Sequence, residues 1–80
     1  MVVVIVVEKF GADGFLERSW DLPPGVVEPL RAHVTVTRDG GIVDVWPVTS
    51  EVAVIVQPWI DEPIDVTSGV WFVSSAREGA

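Results

Sequence analysis

Apolar and polar positions alternate along several short stretches of this chain, and most of these stretches stop at a glycine or proline. The first, MVVVIVVEKF, is dense in branched residues and predicts a strand from Val2 to Phe10, turned by Gly11-Ala12-Asp13-Gly14. A second strand is expected over Phe15 to Leu22, ending at Pro23-Pro24. Val34 to Arg38 alternates valine with threonine, Asp39-Gly40-Gly41 reverses the chain, and Ile42 to Val48 continues as its partner. Val70 to Ser75 makes the last strand, followed by a polar Ala76 to Ala80 expected to fray.

Helical signals are sparse. Glu28-Pro29-Leu30-Arg31-Ala32 predicts one or two turns, with Pro29 tolerated in the first. Thr49 or Ser50 can cap a helix reaching Gln57, although Val52, Val54, Ile55 and Val56 fit a strand equally well. These elements imply an α+β fold: an antiparallel sheet of four or five strands, with one or two short helices in its connections. Eighty residues without a repeat or linker make residues 1–80 a single domain.

Side chains along a strand point alternately to opposite faces, so the two faces can be separated by parity. One register collects Val3, Ile5, Val7, Leu16, Trp20, Leu22, Val43, Val45, Trp71 and Val73, with Lys9 and Arg18 as exceptions, and is the expected core. The other collects Glu8, Phe10, Phe15, Glu17, Ser19, Asp21, Ile42, Asp44, Val70 and Phe72, and contains no base. Each phenylalanine carries roughly 150–250 Å² of surface, too much to leave in water without a reason. At about 25 cal/mol per Å², three such rings supply several kcal/mol to an association. A mixed aromatic and acidic face therefore predicts a binding surface.

Charge sharpens this expectation. Twelve acids against five bases give a net charge of −7, which repels nucleic acid phosphates and attracts a basic protein. Cysteine is absent, which rules out disulfides and thiolate zinc sites and fits a reducing cytoplasm. The amino-terminal run lacks a basic leader and falls short of the ~20 residues needed to cross a bilayer, so no membrane partner is expected. His33, the only histidine, has no serine or cysteine arrangement around it that predicts catalysis. The glycine turns do not match a phosphate loop, and Asp61, Glu62 and Asp65 lack calcium-loop spacing. The chain is expected to be no enzyme, with no cofactor and no metal.

The segments Gln57-Pro58-Trp59-Ile60, Ile64-Asp65-Val66 and Trp71-Phe72-Val73-Ser74 resemble a series in the immunity proteins of cloacin and the ribosomal-RNA-cleaving E-group colicins. Gly41-Ile42-Val43-Asp44-Val45 is similar to that family's Gly-Cys-Phe-Asp-Val strand, and Arg77-Glu78-Gly79 to its Arg-Asp-Gly close. Phe10 and Phe15 match phenylalanines flanking its first hairpin. The resemblance implies a four-stranded antiparallel sheet and stoichiometric inhibition of a basic toxin nuclease domain. It also implies contacts from Phe10, Phe15, Ile42, Asp44 and Phe72, to which parity adds Glu8 and Glu17. Ile42 replaces the family's specificity cysteine, which points to a toxin other than the colicin itself. The alternative expectation is an interaction or scaffold module without a toxin, a homodimer through the same face when free.

Overall fold

The computed structural model describes the backbone of residues 2–67 and 69–78 and the side chains of 3–67 and 69–76. Strand β1 (Val2–Phe10) lies at the centre, flanked by β2 (Leu16–Leu22) and β4 (Val70–Glu78). A two-residue β3 (Trp46–Pro47) completes an all-antiparallel sheet in the order β2-β1-β4-β3. Helix α1 (Val27–Leu30) continues a 3-10 turn over Pro24–Val26, and α2 (Ser50–Val56) runs into a second 3-10 turn over Gln57–Trp59. The α+β architecture with four antiparallel strands and two short helices is as expected.

Helix wins over strand at residues 50–56. The Thr49 hydroxyl accepts a hydrogen bond from the Val52 amide at 3.3 Å, the usual cap for an otherwise unsatisfied first-turn donor. Helical spacing buries Val52, Ala53 and Val56 together and leaves Val54 in water. A strand would have put Val52, Val54 and Val56 on one side.

Both helices cover the same face of the sheet. Ile5, Val7, Leu22, Trp71 and Val73 from the strands pack with Val26, Val27, Leu30, Val34, Ile42, Val48, Val52, Val56 and Ile60. No side chain from the opposite register of β1 or β4 joins this cluster. The sheet thus has one covered face and one bare face, as antiparallel sheets commonly do.

Three expectations need correction. Val34 to Arg38 forms no strand, only an isolated bridge between Val36 and Ile42. Ile42 to Val48 contracts to Trp46–Pro47, because Asp44 takes a left-handed φ of 65° and the Trp46 indole donates back to the Val43 carbonyl at 2.6 Å. That fold-back ends the alternation, so Val43 and Val45, expected in the core, face water. At the carboxyl end β4 runs on to Glu78 where fraying was expected from Ala76; residues 79–80 lie outside the described residues.

Candidate functional site on the uncovered sheet face

Cross-strand pairs stand side by side on one face, so the bare face is a set of rows. Leu16, Phe10 and Val70 make the row at the hairpin end. Ser19, Glu8, Phe72 and Pro47 make the next, followed by Asp21, Val6 and Ser74, and then by Val4 and Ala76. Phe10 and Phe72 meet edge to face, ring centroids 5.8 Å apart and planes at 76°, an attractive geometry for two aromatic quadrupoles. Both rings, with Val4, Val6 and Glu8, are half-buried, shielded by their neighbours in the sheet but not covered by another layer.

Of the seven residues predicted to bind a partner, Glu8, Phe10 and Phe72 come together here. Phe15 lies just before β2 at the hairpin, 73% exposed, with its amide held by Asp13. Asp44 is exposed in its left-handed bend, outside any strand. Two placements are corrected. Ile42 is only 7% exposed, drawn into the core by its bridge to Val36 and tied to the Ser75 hydroxyl, which accepts its amide at 2.9 Å and donates to its carbonyl at 3.2 Å. Glu17 leaves the bare face because the register slips between Lys9 and Phe10: Lys9 faces Arg18, yet Phe10 faces Leu16. Glu17 is the extra residue of a bulge, its carboxylate 4.0 Å from the Lys9 ammonium.

The same slip carries Leu16, expected in the core, onto the bare face at 51% exposure. Parity missed it by treating the strand as regular. The signal was in the turn: connections of three to five residues with a glycine at a left-handed position favour bulged hairpins, and Gly14 has φ 83°.

Lys9 and Arg18, the bases out of place in the core register, find their acids in the connector Gln57-Pro58-Trp59-Ile60-Asp61-Glu62-Pro63-Ile64-Asp65. Arg18 donates to Asp61 at 2.9 Å and to Glu62 at 3.3 Å, and the Lys9 ammonium bonds Glu62. Trp20 stacks on Trp71 with centroids 5.6 Å apart and donates its indole N–H to Asp61 at 2.9 Å. The Arg18 guanidinium lies 4.5 Å over Trp20 and the Lys9 ammonium 5.5 Å over Trp71. Asp61 is held below the usual carboxylate value by the Trp20 hydrogen bond and then by Arg18, and Glu62 by Lys9 and then Arg18. The hydrogen bond that the Lys9 ammonium donates to Glu62 raises the Lys9 pKa in turn.

Cations are therefore drawn to the other side of the molecule. Lys9, Arg18 and Arg31 are in ion pairs, and no base stands on the bare face among the described side chains. Two surface hollows, about 330 and 250 Å³, open on the helical side and involve none of the bare-face rows. The bare face itself is an open sheet surface, a shape that suits a protein partner better than a small ligand. Among the described residues, no group of three His, Asp or Glu could hold a metal ion, and no helix is long and apolar enough to cross a membrane. No protein-family model matches this chain, and a search of curated proteins finds no match.

Proposed function

We propose that this protein is an immunity-type inhibitor, acting in the cytoplasm by binding the basic nuclease domain of a bacterial toxin through the bare face of its sheet. One observation carries the proposal: among the described residues, a sheet face without a covering layer presents the Phe10–Phe72 pair beside Glu8 and Asp21, with no base beside them. The negative molecule steers a cationic nuclease toward itself, and burial of the two rings then holds the complex. Carboxylates on the face pair with lysine and arginine that would otherwise hold RNA phosphates, so occupancy excludes substrate. No catalytic group is required of the inhibitor.

Co-expression with ribonuclease domains of cloacin-type toxins tests this reading. Survival of the producing cells, with a 1:1 complex by calorimetry, is the expected result. Phe72→Ala should weaken the complex by about 2 kcal/mol, roughly thirtyfold, mainly through faster dissociation. Binding untouched by Phe72→Ala would remove the bare face from consideration, and no protection against any such toxin would end the immunity reading.

A further inference from the structure

We infer that the bulge at Glu17 builds the anchor of this surface, an apolar patch of Leu16, Phe10, Val70 and Phe72 around Glu8, whose carboxylate receives an arginine or lysine of a basic protein. The inference deepens the proposed function and rests on it for the kind of partner.

The pairing itself carries the first step. Lys9 faces Arg18, so a regular ladder would next set Phe10 against Glu17 and turn Leu16 toward the helices. The slipped register instead sets Phe10 against Leu16. In this sequence the slip thus keeps the acid Glu17 out of the row beside the aromatic pair and sets Leu16 in it. The displaced Glu17 carboxylate turns to Lys9. Leu16 and Val70, 51% and 46% exposed, flank Phe10 on its two sides, and Phe72 meets Phe10 edge to face.

Glu8 carries the second step. It sits between Ser19 and Phe72 in its row, two residues from Phe10 on the same strand, and is half-buried. Among the described residues it has no ion-pair partner, while the neighbouring bases Lys9 and Arg18 bond Glu62 and Asp61. A carboxylate among apolar side chains is poorly hydrated once a partner closes over it, and a cation from that partner is the group that offsets this cost. Charge selects among occupants. A second copy would bring another Glu8 and Asp21 against the first pair, and both nucleic acid and an anionic lipid surface would be repelled. A basic protein with an apolar centre is the complementary occupant.

The probe is a synthetic amphipathic helix with a leucine face and an arginine rim, titrated into the ¹⁵N-labelled protein at physiological salt. The largest amide shifts should fall on Glu8, Phe10, Leu16, Val70 and Phe72. Leu16→Ser should weaken binding at least tenfold. Glu8→Gln should weaken it similarly and reduce its salt dependence, whereas Val43→Ser, which removes an exposed valine elsewhere, should change it less than twofold. Deletion of Glu17 leaves Leu16 next to Arg18 and still opposite Phe10, so it should keep binding within about twofold, whereas Leu16→Ser should not. Leu16→Ser should also leave the fold intact, because Leu16 lies outside the buried cluster. Absent binding, shifts spread evenly over the acidic surface, or equal losses from Leu16→Ser and Val43→Ser would overturn the inference. If the peptide maps to the patch but no toxin is neutralised, the surface stands and the immunity reading falls; protection that survives Leu16→Ser unchanged would do the reverse.

Discussion

Gln57 shows how one side chain organises a connector whose regular structure ends with the 3-10 turn at Trp59. Its amide nitrogen donates to the Ile60 and Glu62 carbonyls at 3.2 and 2.9 Å, and its carbonyl oxygen accepts from the Ile64 amide at 2.9 Å. Those bonds shape the loop that delivers Asp61 and Glu62 to Arg18 and Lys9. At about 1 kcal/mol per hydrogen bond, Gln57→Ala should cost on the order of 2–3 kcal/mol, measured as a lower urea midpoint. Gln57→Glu, which keeps the acceptor but loses the donors, should cost nearly as much. The ion pairs of this loop also set a pH response. Asp61 and Glu62 are held below their ordinary values of 3.8 and 4.5, so their contribution is present above those values and lost as pH falls through the lower folded ones. Lys9 is raised above 10.5, so its contribution is present below that value and lost only in more alkaline solution. Urea midpoints measured from about pH 7 down to about pH 2.5 should fall steeply only in acid, and the double variant Asp61→Asn, Glu62→Gln should flatten that fall. An unchanged acid slope in the double variant would assign the response to other carboxylates.

At the scale of elements, the parts most legible in the sequence were those whose alternation nothing interrupts. β1 runs from Val2 to Phe10 as its valines predict, and the short helix near Glu28 forms where Pro29 permits it. The parts misread were decided by single local events. A bulge in β2 moved Leu16 and Glu17 to opposite sides from those expected, and a left-handed Asp44 with an indole folded back on Val43 broke the third strand. Both events reverse the period-two rule after one residue, so a parity argument carried past them inverts everything downstream. The covered face depends on thin helices, and α1 contributes Leu30 with no exposed surface. Leu30→Ala should destabilise by about 2–5 kcal/mol, a large fraction of the roughly 5–15 kcal/mol of a whole domain. Thermal unfolding should drop by on the order of 10 °C or more. A shift of a degree or two would mean that the surrounding valines collapse into the space.

At the scale of the molecule, the net charge of −7 is divided unevenly. Asp61 and Glu62 on the connector and Glu28 on α1 are paired with bases, whereas Glu8 and Asp21 on the bare face have no ion-pair partner among the described residues. Electrostatic attraction of a cationic partner reaches about 30 Å at 0.01 M salt and only about 8 Å at 0.15 M. The association rate with a basic nuclease domain should therefore fall at least tenfold over that range, with a smaller change in dissociation rate, as stopped-flow mixing would measure. A rate insensitive to salt would mean that charge does not steer the encounter. The same repulsion predicts a monomer at micromolar concentration in sedimentation velocity, despite the bare aromatic face.

Composition and periodicity alone determined that the sheet is antiparallel with one acidic and aromatic side, and that Glu8, Phe10 and Phe72 share that side. These follow from averages over many residues or from uninterrupted alternation, which local sequence encodes. The tertiary structure decided where the ladder slips, and that Ile42 goes inside while Leu16 comes out. Each of those outcomes balances contacts between segments distant in the chain, such as Lys9 with Glu62 and Ile42 with Ser75, against a local preference of similar size.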